Sequence, residues 1–263
     1  MNPIKIVVNG ASGRVGQVLL ECIRPETGVE VVGAVDVNPG DKRLHLPDGR
    51  QIPFSSRIED IIQATQPEVL VDFSLAHATM PAVRAAVKQG IHLVIGTTGL
   101  DADNLSEIDA LTREKGLGAI VASNFALGAV LMVKFARMAA RYLDYAEIIE
   151  LHHPAKLDAP SGTALNTARA MAASRGRPFA QPADAGGVYA SRGQKVEGIP
   201  IHSVRLAGLM AHQEVILGGL GQTLTIRHDT INRECYVPGV LLAVNQVSKH
   251  KGLVQGLDSI LDL

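Results

Sequence analysis

Apolar and polar positions alternate in one way over the first half of this chain and in another over the second. Ile4 to Val8 is a short β-branched run that ends in a glycine-rich turn, Gly10-Ala11-Ser12-Gly13-Arg14-Val15-Gly16. Val15, Val18, Leu19, Cys22 and Ile23 then recur at helical spacing and mark one apolar helix face. Val31 to Val35 predicts a second strand, ending at Asp36, and Val69 to Phe73 a third. Leu93 to Ile95 lies in a fourth, ending in Gly96-Thr97-Thr98-Gly99; Ala119 to Val121 is a fifth, ending in Ser123-Asn124-Phe125. Helices are predicted from Thr79 to Gln89, stopped by Gly90, and from Asn104 to Lys115, closed by Gly116. Strands alternating with helices predict a doubly wound parallel sheet.

Past Phe125 the pattern changes. Leu127 to Tyr142 reads as a long helix and Ala146 to Leu151 as a strand feeding His152-His153. Leu165 to Arg175 reads as a helix, and Pro178 to Gly198, which has no periodicity, as a long mobile loop. His202 to Leu206, Glu214 to Leu217 and Thr223 to His228 predict strands of a mixed or antiparallel sheet. Pro238 to His250 is again helical and closes at Gly252. The expected fold is α/β: residues 1–125 with 235–263 form a dinucleotide-binding domain, and 126–234 a second, α+β domain.

Composition narrows the partners. The 263 residues are 46% hydrophobic but only 3% aromatic, with no Trp, so the core is built from Val, Ile, Leu and Ala, which suits parallel strands under helices. A formal net charge of −1 and no basic run argue against nucleic acid or a membrane surface. Cys22 and Cys235 read as ordinary buried thiols in a reducing compartment. Neither a targeting segment nor an apolar stretch long enough to span a bilayer is evident, and a cytoplasmic protein is expected.

The glycines at 10, 13 and 16 permit a tight turn, close approach of backbone to a pyrophosphate, and close packing of helix on strand. The pyrophosphate would sit on the amides opening the helix, and Arg14 can add a charge. Asp36 stands twenty positions after Gly16, where a carboxylate accepts both ribose hydroxyls of NAD and repels the 2′-phosphate of NADP. Val37 offers no cation to offset it, although Lys42 and Arg43 are near in sequence. NADH is therefore favoured, with NADPH as a possible second cofactor. Gly96-Thr97-Thr98 and Ser123-Asn124-Phe125 end strands where open sheets bind ligands, and their small residues and hydroxyls suit a nicotinamide and its ribose. Each also fits ordinary turn chemistry.

The densest chemistry lies in Glu150-Leu151-His152-His153-Pro154-Ala155-Lys156-Leu157-Asp158-Ala159-Pro160-Ser161-Gly162-Thr163-Ala164. An imidazole donates or accepts a proton near neutral pH. Lys156 can hold a carboxylate or protonate a developing carbanion. Gly162 and Thr163 can offer amides, and Thr163 its hydroxyl, to a carboxylate at a helix start; the plainer alternative is an N-cap alone. The two histidines end a strand and point to opposite faces, which with distant cysteines argues against a metal. Arg233 fits a carboxylate clamp and a surface salt bridge equally well.

That run resembles the signature of the 4-hydroxy-tetrahydrodipicolinate reductases, also called dihydrodipicolinate reductases. Gly10 to Gly16, Gly96 to Gly99, Ser123-Asn124-Phe125, His202-Ser203-Val204-Arg205-Leu206 and His228 to Arg233 resemble the family in order, over essentially the whole chain. The resemblance implies a Rossmann domain, completed by the C-terminal helix, and a substrate domain whose open mixed sheet assembles a homotetramer. It implies reduction of a cyclic unsaturated dicarboxylate by NADH or NADPH to tetrahydrodipicolinate, in lysine and diaminopimelate biosynthesis. It makes His152 a proton donor/acceptor and Lys156 a proton donor. His153, Ser161, Gly162 and Thr163 would bind substrate, and Arg233 would lie near cofactor or substrate. Some members carry Glu-Arg where this chain has Asp36-Val37, which argues against a strong NADP preference here. Two rivals share the residues: another nicotinamide-dependent amino- or keto-acid dehydrogenase, and a non-catalytic NAD(H)-binding sensor. The intact His152, Lys156 and Ser161-Gly162-Thr163 set argues against the sensor.

Overall fold

The computed structural model describes residues 2–181 and 190–261. The chain divides into two compact units, Met1–Leu127 with Arg233–Leu263, and Gly128–Asn232. The first opens with β1 (Ile4–Asn9), α1 (Arg14–Cys22), β2 (Val29–Val35), β3 (Arg43–His45), β4 (Gln51–Ser55) and α2 (Ile58–Thr65). It continues with β5 (Val69–Asp72), α3 (Ala76–Lys88), β6 (His92–Ile95), α4 (Ala102–Lys115) and β7 (Gly118–Val121). After α5 (Leu127–Ala139) come β8 (Tyr145–His152), α6 (Gly162–Arg175), β9 (Gln194–Val196), β10 (Ile199–Arg205), β11 (Ala211–Gly219) and β12 (Gln222–Thr230). A 3-10 turn at Arg233–Tyr236, α7 (Val237–Val247) and β13 (Gly252–Gln255) complete the first unit.

The sheet of the first unit runs β13-β7-β6-β5-β1-β2-β4-β3. Its pairs are parallel except for the edge pair β3–β4. Strand order reverses on either side of β1 and β5. Helices α2, α3 and α4 neighbour one another on one face, and α1 packs with α7 on the other. Val7, Leu70, Leu93 and Ile95 from the strands and Ile61, Val83 and Ile108 from the helices form one buried cluster. These strands read as continuous apolar runs because helices cover both faces of the sheet.

Four elements of this unit, β3, β4, α2 and β13, lie outside those read from the sequence. Ile52 and Phe54 alternate inward along β4, and Ile58, Ile61 and Ile62 form the buried stripe of α2. At the other edge, the segment after α7 is a strand, β13, in register with β7 from Gly252↔Gly118 to Gln255↔Val121.

The second unit is a mixed sheet in the order β12-β11-β8-β10-β9, with β8 and β10 parallel and the other pairs antiparallel. Met132 and Ala136 of α5 and Ala164, Ala168 and Met171 of α6 pack against Ile148, Ile201, Val215 and Leu217. Alternate residues of β8, Tyr145, Glu147, Ile149 and Leu151, lie on the opposite, partly exposed face. Helix α5 stops at Ala139 rather than Tyr142 and α7 at Val247 rather than His250, each followed by tighter turns. The expected loop from Pro178 to Gly198 contains ordered structure: β9 pairs antiparallel with β10 from Val196↔Ile199 to Gln194↔Ile201. Residues 182–189 of that segment lie outside the described residues. Cys22 and Cys235 are half-buried and free of disulfides.

Candidate active site

In the first unit a cavity of about 570 Å³ opens beside β1 and β5, lined among others by Asn9, Gly10, Ser12, Gly13, Asp36 and Ser74. Open α/β sheets bind ligands at such a reversal of strand order. Gly10 has φ +81° and a Cβ there would lie 2.5 Å from the Phe73 carbonyl oxygen. A Cβ on Gly16 would overlap the Gly10 carbonyl. The turn is thus closed down onto the neighbouring strand end. Gly13 caps α1 without a side-chain hydrogen bond, and the first turn carries no acid, so its amides suit an anion. Ala11 is buried with its N–H on Val35 O at 3.1 Å, whereas Ser12 and Arg14 are exposed and Val15 is half-buried.

Asp36 follows β2 directly. Its carboxylate accepts the N–H of Ser12 at 2.8 Å and that of Val37 at 2.8 Å, bridging the glycine turn to the end of β2. A dinucleotide fits what is here: an open cavity, glycines whose backbone a ligand can approach, uncapped helix amides and a fixed carboxylate. Arg233 opens the 3-10 turn that packs on α1. Burial raises the Tyr236 hydroxyl above its usual range, and the charges of Arg233 and Arg14 act against that shift.

The other expected positions divide. Thr97 is buried and its hydroxyl donates to Asp72 at 2.5 Å, while Thr98 is exposed. A Cβ on Gly96 would overlap the Phe73 ring, which meets the Phe125 ring edge-on at 5.3 Å. Phe125 is therefore a core residue of the site. Asn124 accepts the Ala126 N–H at 2.9 Å in a local turn, and Ser123 is exposed. Asp72 is the residue that strand-end reasoning missed. Fully buried, its carboxylate accepts Asn9 Nδ2 at 2.7 Å, Ser74 N at 3.0 Å, Ser74 Oγ at 2.8 Å and Thr79 Oγ1 at 3.2 Å besides Thr97. It ties together the ends of β1, β5 and β6. Its signal was an acid closing an otherwise apolar strand.

In the second unit, β8 carries Glu150 and His152 on the face that α6 covers. Glu150 is fully buried and its Oε2 lies 2.5 Å from His152 Nδ1. Parallel register sets Ser203 opposite Glu150 and Arg205 opposite His152. Arg205 then reaches both carboxylate oxygens at 2.9 Å, and its guanidinium also donates to Lys156 O at 3.2 Å and Asp158 O at 2.6 Å. One buried ion pair thereby holds the histidine and the turn carrying Lys156. Sequence reasoning did not single out Arg205, because nothing local to it reports a partner 55 positions away.

Burial pushes the Glu150 carboxyl up, but hydrogen bonds from Arg205, Ser203 and His152 outweigh it and leave it below the usual range. Burial pulls the His152 imidazole below its ordinary value; Glu150 opposes this, and the charges of Lys156 and Arg205 reinforce it. A neutral ring with Nδ1–H on Glu150 presents Nε2 as its proton-exchanging atom. Lys156 is half-buried and pairs with Asp158 at 2.8 and 2.9 Å. Ser161 is buried: its hydroxyl accepts Ala164 N at 3.2 Å as the cap of α6, and its N–H donates to Glu150 Oε1 at 3.2 Å. Gly162, exposed, and Thr163, half-buried, open that helix, and a Cβ on Gly162 would meet open space. His153, just past the end of β8, is exposed. No cluster of His, Cys, Asp and Glu suited to a metal occurs among the described residues, and no helix among them is long and apolar enough to cross a membrane.

Comparison with known proteins supplies the context. Family models described as dihydrodipicolinate reductase, N-terminus, and dihydrodipicolinate reductase, C-terminus, match residues 4–125 and 128–261. A 4-hydroxy-tetrahydrodipicolinate reductase of Dehalococcoides mccartyi is 52% identical over 264 residues, covering 100% of both chains. Another from Moorella thermoacetica is 46% identical, covering 98% of each. Among solved structures, dipicolinate-bound dihydrodipicolinate reductase from Paenisporosarcina sp. TG-14 is similar at a TM-score of 0.87 and 38% identity, over 98% of this chain and 100% of that one.

Proposed function

The chain belongs to the dihydrodipicolinate reductase family, and on that premise we propose that it reduces 4-hydroxy-tetrahydrodipicolinate, through its dehydrated form, to tetrahydrodipicolinate in lysine and diaminopimelate biosynthesis. The reading is carried by the Glu150–Arg205 pair, which braces both His152 and the turn carrying Lys156, ahead of the Ser161-capped start of α6.

A nicotinamide cofactor, when bound, supplies the hydride. Gly10, Ser12, Gly13, Arg14, Val15 and Gly16 would hold its pyrophosphate, and Asp36 its adenosine ribose. Gly96, Thr98, Ser123 and Asn124 would shape the remainder, with Ala11, Thr97 and Phe125 as inward supports and Arg233 alongside Arg14. Asp36 with uncharged Val37 favours NADH.

The substrate has two carboxylates. Lys156 and the amides of Gly162 and Thr163 would hold one of them, Thr163 adding its hydroxyl and Ser161 keeping the helix start capped. His153, exposed just past the end of β8, would add a further contact to the substrate. Hydride addition to a conjugated imine leaves an electron pair on the ring that must take a proton. Lys156 and His152 are the groups that exchange it. His152 is held neutral in the free protein, and a dicarboxylate beside it would favour its protonated form. The half-exposed outer face of the second sheet, with Tyr145, Ile149 and Leu151, would serve self-association into a tetramer. A cytoplasmic setting accords with this role.

Oxidation of NADH and NADPH is followed with dihydrodipicolinate synthase generating the substrate from pyruvate and aspartate semialdehyde. Rapid synthase-dependent oxidation is expected, faster with NADH at low concentration. Folded protein that binds NADH yet oxidises neither cofactor would overturn the proposal and favour the sensor. Equilibrium sedimentation reads the assembly, and a monomer at micromolar concentration would exclude the tetramer.

A further inference from the structure

The adenosine ribose of a dinucleotide carries at its 2′ position either a hydroxyl or a phosphate, and the residues around Asp36 decide which is accepted. Both oxygens of Asp36 already accept a backbone N–H, from Ser12 and from Val37. The carboxylate is fixed at the cavity rim and cannot swing away from an incoming phosphate. Val37, 73% exposed, brings no charge. Any offsetting cation must come from a neighbouring strand.

That strand is β4. Val35 pairs with Ser55, and Asp36 donates its N–H to Ser55 O at 3.2 Å. The chain leaves β4 through Ser56 and Arg57, and both line the same cavity as Asp36 and Val37. Arg57 is the one Lys or Arg among the described residues lining it. Its side chain is 71% exposed, and its ion pair with Asp60 is long, at 3.9 Å. An exposed pair at that separation has little hold on the guanidinium. Lys42 and Arg43 are closer to Asp36 in sequence, but they belong to the edge hairpin and do not line the cavity.

We propose that Arg57 is the residue through which this chain accepts a 2′-phosphorylated dinucleotide. Its guanidinium pairs with the phosphate in the planar two-point manner that suits arginine, offsets Asp36, and lets NADPH bind beside NADH. Cofactor choice is then a balance between an acid on β2 and a base leaving β4. The inference rests on the dinucleotide reading of the glycine turn, and the test separates the two.

Calorimetric titrations of the intact protein use ADP-ribose and 2′-phospho-ADP-ribose as probes, with wild type, Arg57→Ala, Arg57→Lys and Lys42→Ala. In Arg57→Ala the 2′-phosphorylated probe is expected to weaken about tenfold and ADP-ribose less than about twofold, a gap that narrows as salt screens the exposed charge. Arg57→Lys is expected to recover most of the loss. Equal weakening of both probes would place Arg57 on the pyrophosphate and overturn the inference. So would no change, a selective loss in Lys42→Ala alone, or a wild type that binds only ADP-ribose. Failure of wild type to bind either probe would instead overturn the dinucleotide reading.

Discussion

At the start of α1 the chain makes a site by leaving side chains out; at the end of β8 it makes one by burying charge. The glycine turn offers backbone, and its geometry is fixed by strand ends that a single Cβ would displace. The β8 site offers an imidazole and an amine, and their geometry is fixed by the Glu150–Arg205 pair. The first kind of site fails when an atom is added and the second when one is removed. His152→Ala and Lys156→Ala probe the second directly. Each is expected to lower turnover by about two to four decades, the range lost with a positioned acid or base, while NADH affinity stays within about twofold. Stopped-flow turnover and NADH fluorescence titration measure the two separately. A variant that loses cofactor binding along with turnover would erase the contrast between the sites.

Arg205→Ala is next in size. It leaves Glu150 buried without its cation, and such breakage costs about 3–5 kcal/mol. Urea unfolding monitored by circular dichroism is expected to show that loss, together with slower turnover as His152 and the Lys156 turn lose their brace. The double variant Glu150→Gln with Arg205→Met is expected to recover part of the stability and none of the rate, since neighbours in one network do not add. Recovery of turnover in that double variant would remove Glu150 and Arg205 from the positioning of His152.

The same contrast decides what the sequence revealed. The glycine turn, Asp36 and the strand–helix alternation are local patterns, legible because each rests on residues close in the chain. The run from Glu150 to Ala164 is local too, and the sequence alone singles out His152, Lys156 and the cap of α6. Arg205 and Asp72 are not local. Arg205 meets Glu150 only through the β8–β10 register, and Asp72 collects donors from Asn9, Ser74, Thr79 and Thr97. The β3–β4 hairpin stayed hidden because β3 is three residues long and Pro53 interrupts β4. Strand β13 has only Leu253 and Val254 as apolar residues and becomes a strand through its pairing with β7. Thr97 and Phe125 were read at the right strand ends, yet both turn inward, which alternation within a four-residue strand does not resolve.

Gly16→Ala tests the backbone-built site by adding one carbon. Its Cβ would overlap the Gly10 carbonyl, and backbone has little room to give. A loss of about 1–3 kcal/mol in stability is expected from such overpacking. NADH affinity should fall while turnover at saturating NADH changes little, the reverse of the His152 variant. A Gly16→Ala protein with full stability and full NADH affinity would show that the turn relaxes, and that its geometry is not fixed by the strand ends.

The smallest effect expected lies away from both sites, at His92 on β6. Burial holds its imidazole below the ordinary value of 6.5, and Nδ1 accepts the Gly118 N–H at 3.0 Å from the neighbouring strand β7. A depressed folded value means that the unfolded chain binds the proton more readily. The contribution of His92 is then fully present above about pH 6.5 and is lost as pH falls through the lower, folded value. Protonation removes the side-chain acceptor of one part-buried backbone N–H, on the order of 1 kcal/mol. His152 and His228 are also lowered by burial and add loss of the same sign. Thermal melts between pH 7.5 and pH 5 are expected to fall in wild type and to fall less steeply in His92→Asn, whose amide oxygen can accept the Gly118 N–H at every pH. An unchanged slope in that variant would assign the acid sensitivity to the histidines of the second unit. The pH response would then belong, like His152 and Lys156, to the region built on buried charge.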